Sequence, residues 1–196
     1  MDKLIRKHSR EFASALRNGE YDVTDGGIVF PKQQVRATGM YFHSVNGQDE
    51  RRDPNLLPDA SILNILNVVF GATAKQSTWY LSLYANAVSP AANWTQANYA
   101  ATAGEITSLS EGFSQATRPT WTPGAAASGN IDNLSARATF TIVCTTSLTV
   151  NGAALHSDNT RGGTTGVLGS AARFGQARTL YNDDSFQLGY RVSLTS

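Results

Sequence analysis

The strongest constraint on the fold is the alternation of apolar and polar residues from Ser185 to Leu194. Its apolar positions are every second residue: Phe186, Leu188, Tyr190, Val192 and Leu194. A period of two places these side chains on one face of an extended strand. Because the turn residues Asn182-Asp183-Asp184 come directly before it, the segment predicts a strand that closes a sheet with its apolar face.

Shorter β segments fill the chain from residue 72 onward. Residues 78–85 carry aromatic side chains on both faces, and residues 134–144 repeat the one-sided alternation of the last strand. Asn151-Gly152 is a preferred type I′ hairpin dipeptide, so it predicts a tight turn. About six to eight short strands separated by turns are typical of an antiparallel sandwich or a jelly roll.

Two segments have helical periodicity. Residues 1–18 combine an apolar stripe with a basic face, and Asn18-Gly19 ends them. Residues 59–70 begin after Pro58 and end at Gly71, and their broad apolar face with almost no charge predicts that this helix packs against a sheet. That face comprises Ile62, Leu63, Leu66, Val69 and Phe70.

The distribution of charge divides the chain near residue 55. Up to Asp53 the chain holds 9 basic and 8 acidic residues, which are 17 of its 31 charges. We therefore predict an N-terminal helical arm and connector over residues 1–55, with a short hairpin around Gly26-Gly27, and a β-sandwich body over residues 56–196. The predicted fold class is mainly β with minor α (α+β): an antiparallel β-sandwich or jelly-roll-like body, a helical arm and one packed helix.

The N-terminal arm helix, with its basic face and part of its apolar stripe, is the predicted partner-binding site. A basic amphipathic helix suits an anionic surface, a nucleic acid or an acidic groove on a protein. The net charge of +1 over the whole chain argues against nucleic acid as the main partner, although the arm by itself leaves protein and DNA open. The residues assigned to this site are Lys3, Arg6, Lys7, Arg10, Phe12 and Leu16.

The sequence shows no constellation of catalytic or metal-ligating residues. His8, His43 and His156 lack metal-ligand spacing, and the single Cys144, which we expect to be buried, leaves no internal disulfide. The Gly-rich segment 161–166 lacks the Lys-Ser/Thr ending of a phosphate loop. No apolar run is long enough for a membrane helix. We therefore expect no enzymatic activity, cofactor, metal, small-molecule substrate or membrane partner.

Two rival functions rest on particular side chains. A carbohydrate-binding face would use aromatic residues, and a glycosidase would use Glu105 and Glu111 as its two carboxylates. The aromatic residues of that face would be Trp79, Tyr80, Tyr84, Trp94 and Trp121.

Three segments of the chain occur in a recognisable combination. They are Asp53-Pro54-Asn55-Leu56-Leu57 before the second helix, Trp79–Tyr84, and the C-terminal stretch from Ala172-Arg173-Phe174 through Arg178-Thr179-Leu180 to Asp184–Tyr190. Together they resemble a group of tailed-bacteriophage virion proteins, and the resemblance covers residues 53–196. It implies a non-enzymatic structural protein of the virion, assembled in the host cytoplasm, that forms a homo-oligomer and attaches to neighbouring phage subunits.

Within that group, we favour a capsid cement or decoration protein that binds the major capsid subunits. The alternative is a tail component, such as a head-to-tail adaptor, a collar or a fibre-attachment protein bound to tail or portal subunits. A carbohydrate-binding module for host recognition is the alternative from another class.

Overall fold

The structure, a computed structural model, describes the backbone of residues 2–18, 21–23, 26–27, 29–31 and 35–195. It describes the side chains of residues 9–18, 21, 26–27 and 35–195. The helices in these residues are α1 (Asp2–Arg17), α2 (Asp59–Val69) and α3 (Gln96–Tyr99), the last continued by a π-helical turn at Ala100–Gly104. The strands are β1 (Tyr21–Val23), β2 (Val29–Pro31), β3 (Arg36–Val45), β4 (Gln48–Pro54), β5 (Trp79–Tyr84), β6 (Gly112–Phe113), β7 (Thr120–Trp121), β8 (Asn130–Asp132), β9 (Ala138–Val143), β10 (Leu148–His156), β11 (Leu168–Leu180) and β12 (Ser185–Thr195).

The chain divides into two compact units. The smaller comprises Met1–Arg36 with Thr195–Ser196, and the larger comprises Ala37–Leu194. In the smaller unit, α1 occupies the segment for which a helix was predicted, and β1 pairs antiparallel with β2 on either side of Gly26-Gly27. The arm helix and the short hairpin that the sequence predicts are both present.

Residues 37–55, assigned above to the connector, belong to the larger unit. They supply β3 and β4, which pair with Phe42 opposite Arg52, and β3 lies beside β12. Charge is concentrated here because β4 is an edge strand, and the side chains of Asp49, Glu50 and Arg52 reach solvent. Charged residues are typical of exposed sheet edges. An edge strand that is rich in charge can therefore have the same composition as a polar connector between domains.

Two antiparallel sheets form the larger unit. One has the strand order β11-β10-β5-β7, and the other has the order β4-β3-β12-β9-β6, with β8 also pairing with β12. The predicted last strand, β12, lies inside the second sheet between β3 and β9, with Phe186 opposite Phe140. The strands predicted at residues 78–85 and 134–144 correspond to β5 and β9.

The two sheets pack over one apolar core. Phe186, Leu188 and Tyr190 of β12 are fully buried and share a cluster with Leu83 and Phe174 of the four-stranded sheet. Phe174 and Phe186 meet directly, with ring centroids 6.2 Å apart. The protein is therefore mainly β with minor α, and its body is an antiparallel sandwich, as the alternation of apolar residues predicts.

The predicted type I′ turn at Asn151-Gly152 is wrong. Both residues lie inside β10. A Cβ atom at Gly152 would lie 2.2 Å from the Ala172 carbonyl oxygen and 2.2 Å from Tyr84 Cζ, so close packing requires glycine here. The register between β10 and β11 shifts at this point, as it does at a β-bulge.

Candidate functional site

Helix α2 turns its apolar side outward. Six large apolar side chains on this helix and directly after it are between 43% and 84% exposed. They form what we call the α2 surface: Ile62, Leu63, Ile65, Leu66, Val69 and Phe70. The one charged residue of the helix is Asp59, in its first turn. Uncharged apolar patches on a protein surface are often sites where another molecule binds, so the α2 surface is a candidate docking site.

Polar and backbone contacts hold α2 on the body. Ser61 is buried, and its hydroxyl donates a 2.6 Å hydrogen bond to the Gly169 carbonyl of β11. The Asp59 amide donates to the Ala92 carbonyl at 3.0 Å. Just before the helix, Leu56 forms an antiparallel bridge with Ala171. The inner side of α2 therefore combines the polar Ser61 and Asn64 with the half-buried Val68.

The sequence prediction for this helix is right in position and wrong in orientation. We expected its apolar side to pack against a sheet, yet that side faces solvent. The reason is that the Leu56–Ala171 bridge fixes how the chain enters the helix, and the Ser61 hydrogen bond fixes its rotation. Amphipathic spacing identifies two sides of a helix but not which side meets its own domain.

An apolar cavity of about 280 Å³ lies beside α2 in the larger unit. Ser61, Asn64 and Ile65 line it from the helix, and Trp79 and Tyr190 line it from the two sheets. Its lining is mainly apolar, so the cavity adds to the apolar area at this end of the sandwich.

The arm site is described in part. Arg10 is exposed, Phe12 is 44% exposed with its ring centroid 5.4 Å from that of Tyr21, and Leu16 is half-buried. The arm-site residues whose side chains lie outside the described part are Lys3, Arg6 and Lys7. The binding role of this site stays a prediction.

The aromatic residues considered for sugar binding do not form an exposed face. Tyr84, Trp94 and Trp121 are buried, and Trp79 and Tyr80 are half-buried. Tyr84 and Trp94 pack edge to face in a second apolar cluster, with ring centroids 6.1 Å apart. These rings contribute to the core.

The two carboxylates considered as a glycosidase pair each have protein partners. Glu105 is buried and accepts hydrogen bonds of 2.7 Å from both Nε and Nη2 of Arg118, which is also buried. It also accepts from the Gly162 amide at 3.1 Å. Glu111 lies at the surface and accepts from the Thr145 hydroxyl at 2.7 Å. Both carboxylates therefore connect loops.

A second arginine joins the same loops. Arg161 donates to four backbone carbonyls, and its guanidinium carbon lies 3.7 Å from the centre of the Phe113 ring. The carbonyls belong to Ile106, Ser108, Phe113 and Gln115. Burial lowers the pKa of Arg161. The Gly-rich segment 161–166 is thus attached to the segment 106–115.

A buried chain of hydrogen bonds runs from Tyr99 through Ser82 to His156. Gln96 donates its amide to the Gly163 carbonyl, so its oxygen accepts from His156 Nδ1 at 2.7 Å. His156 Nε2 then accepts from the Ser82 hydroxyl at 2.7 Å, and the Tyr99 hydroxyl donates to Ser82 at 2.7 Å. A nucleophile and its base have this spacing, but each group here is buried and already paired. Burial lowers the pKa of His156 well below its ordinary value.

His43 joins the two sheets at another place. Arg178 Nε donates to His43 Nδ1 at 3.0 Å, so the ring carries its proton on Nε2 and donates it to Asp53 at 2.8 Å. The ring stacks on Phe174 with centroids 3.9 Å apart, and Arg178 also pairs with Asp49. Burial lowers the pKa of His43 to about 4; the Asp53 hydrogen bond opposes this shift, and the Arg178 charge adds to it. His43 is therefore neutral in the folded protein near neutral pH.

The sequence analysis did not predict these buried polar groups.

Within the described residues, no three His, Cys, Asp or Glu side chains are grouped as metal ligands would be. No helix in the described part of the chain combines the length and apolar character that crossing a membrane requires.

Comparison of the chain with protein-family models and with curated proteins finds no match in either set. The resemblance to phage virion proteins therefore stays a prediction.

We expect Glu105→Gln to lower the free energy of unfolding by about 3 kcal/mol or more, because it leaves the buried Arg118 guanidinium with only the longer contact to Asp158, at 3.9 Å, as a counter-charge. Urea denaturation followed by circular dichroism measures this loss. The matched surface variant Glu111→Gln is expected to cost less than about 1 kcal/mol. Equal losses for the two variants would contradict the role of the Glu105–Arg118 pair.

We expect the protein to lose stability as the pH falls from 6.5 toward 4. In this range His43 takes up a proton in the unfolded chain but not in the folded one, because its folded pKa is about 4. The free energy of unfolding then falls by about 1.4 kcal/mol per pH unit from this residue. Above pH 6.5 His43 is neutral in both states and adds no pH dependence.

Urea denaturation across this pH range measures the slope. His43→Gln keeps a hydrogen-bond donor and an acceptor but does not titrate there, so its slope should be smaller, with buried His156 still contributing in the same direction. If the free energy of unfolding falls with pH as steeply in His43→Gln as in the wild type, His43 is not the source of the pH dependence.

Proposed function

We propose that this protein is a non-enzymatic structural protein of a bacteriophage virion, and that it attaches to neighbouring subunits through the α2 surface. The observation that carries the attachment is the outward, uncharged apolar side of α2. Burial of apolar surface is favourable by roughly 25 cal/mol per Å², so a partner that covers this helix gains binding free energy. The virion setting rests on the resemblance of residues 53–196, and within that setting we favour capsid cement or decoration.

The body beneath α2 suits a subunit that carries a binding surface. The buried guanidinium groups of Arg118 and Arg178 pair with Glu105 and Asp49 within the larger unit, and Asp53 accepts from His43. Paired interior charges keep the loops in one arrangement. The α2 surface is then presented by a well-defined support.

A tail component is the alternative within the same class, and it would use the same surface on a different part of the particle. The carbohydrate-binding alternative requires exposed aromatic rings, and three of its five candidate rings are buried. We therefore do not propose it.

We expect the wild-type protein to co-sediment with purified capsids that lack it, and Leu63→Glu to weaken this binding about tenfold or more. The variant buries a charge in the contact, and a central interface residue is typically worth more than about 1 kcal/mol. Leu109→Glu is the matched control, since Leu63 is 59% exposed and Leu109 is 57% exposed but lies outside α2. Binding of the wild type to tail assemblies but not to capsids would favour the tail component. Equal capsid binding by Leu63→Glu and Leu109→Glu would show that α2 is not the attachment site.

The arm has a test of its own. Replacing Lys3, Arg6, Lys7 and Arg10 by Gln removes the basic face of α1 without removing the helix. If that face docks on an acidic subunit, capsid binding should weaken in the variant, and the salt dependence seen for the wild type should become smaller. Co-sedimentation at low and high salt measures both. Unchanged binding and salt dependence would show that the arm is not an attachment site.

A further inference from the structure

Five of the six residues of the α2 surface are arranged symmetrically along the sequence; the sixth, Ile65, lies at its edge and lines the cavity. Leu66 lies at the centre of the five, Ile62 and Leu63 come four and three residues earlier, and Val69 and Phe70 come three and four residues later. Ile62 and Val69 share one flank of the helix and Leu63 and Phe70 share the other, because seven residues make almost two turns. Reversing the direction of the helix about Leu66 therefore reproduces the same apolar arrangement.

The charge of this surface fits an identical partner. A charged partner would be recognised by side chains of the opposite charge on α2. The helix has only one charged residue, Asp59 in its first turn. Two copies of the α2 surface bring no like charges together across their centre, where such repulsion would oppose pairing. A second copy also supplies an equal area of exposed apolar side chains.

The exposed area is close to what a dimer requires. Six large apolar side chains, each about half exposed, present on the order of 600 Å² of apolar surface, which is as large as the largest patches on typical monomers. A standard interface buries roughly 800 Å² on each partner. Two packed α2 helices therefore supply most of such an interface.

From these observations we infer that the α2 surface binds the α2 surface of a second copy, with the two helices antiparallel about a two-fold axis at Leu66. Leu66 then lies against Leu66 of the second copy, Ile62 against its Val69, and Leu63 against its Phe70. The Leu66 contact lies on the axis and occurs once, and each of the other two contacts occurs twice, as an isologous interface requires. The inference deepens the proposed function, because it rests on the α2 surface being an attachment site and identifies the neighbouring subunit on that surface as a second copy of this chain. Capsid binding is then a property of the dimer, and Leu63→Glu weakens it by separating the two copies.

The contact at the axis can be tested by a disulfide. Helix axes that pack about 8–10 Å apart, with Cα atoms at a radius of about 2.3 Å, place the two Leu66 Cα atoms about 3.5–5.5 Å apart. A disulfide spans roughly 4.4–6.8 Å between Cα atoms, which the upper part of that range meets. Leu66→Cys should therefore form a covalent dimer under mild oxidation, whereas the exposed control Leu109→Cys should not. The native Cys144 is buried and does not compete.

A charge-pair experiment tests the register. Ile62→Lys and Val69→Glu each place a charge in both halves of their own homodimer, so each variant should be monomeric by sedimentation at concentrations where the wild type is dimeric. Mixed together, they should form a heterodimer, since the introduced lysine of one chain lies opposite the introduced glutamate of the other. Leu66→Cys cross-linking no faster than Leu109→Cys, or no heterodimer in the mixture, overturns the inference.

The proposed function and the α2–α2 dimer can be disproved independently of each other. A wild type that is monomeric in solution and still binds capsids through Leu63 overturns the second copy and leaves the proposed function standing. A wild-type dimer that cross-links at position 66 and binds neither capsids nor tail assemblies supports the second copy and overturns the proposed function.

Discussion

The packing of β12 against the four-stranded sheet is the contact on which the larger unit depends. Phe186, Leu188 and Tyr190 are fully buried there, and full burial of each large apolar side chain contributes about 1.5–3 kcal/mol. The same strand pairs with β3, β8 and β9. The Tyr190 carbonyl accepts from the Trp121 indole, and its hydroxyl accepts from Asn55. Sheet pairing, core packing and the hydrogen bonds from Trp121 of β7 and from Asn55 after β4 therefore all involve one strand.

Buried polar groups define how the loops lie on this sandwich. Taking an ion pair out of water is costly, so Glu105 and Arg118 add little net stability, but removing either one leaves an unpaired buried charge. The same logic holds for His43, whose two ring nitrogens are both hydrogen-bonded. These groups favour one loop arrangement over others, and the α2 surface is displayed on the resulting body.

Local patterns predicted the elements well because they depend on neighbouring residues. Periods of two and 3.6 identified β5, β9, β12 and both longer helices, and Gly26-Gly27 identified the β1–β2 hairpin. Patterns with two physical causes were less informative. Asn151-Gly152 has the composition of a turn, but here the glycine admits the neighbouring Ala172 and Tyr84. The charges around Asp49 mark an edge strand that resembles a linker in composition.

By itself, the sequence determined the mainly β fold class and the position of α2, because alternation and helical spacing act over a few residues. Only the tertiary structure decided that the apolar side of α2 faces solvent and that Glu105 forms an ion pair with Arg118. It also decided that His43 is neutral. The His43–Arg178 contact joins residues 135 positions apart. Orientation, pairing and desolvation are set by such distant contacts, which a local pattern does not contain.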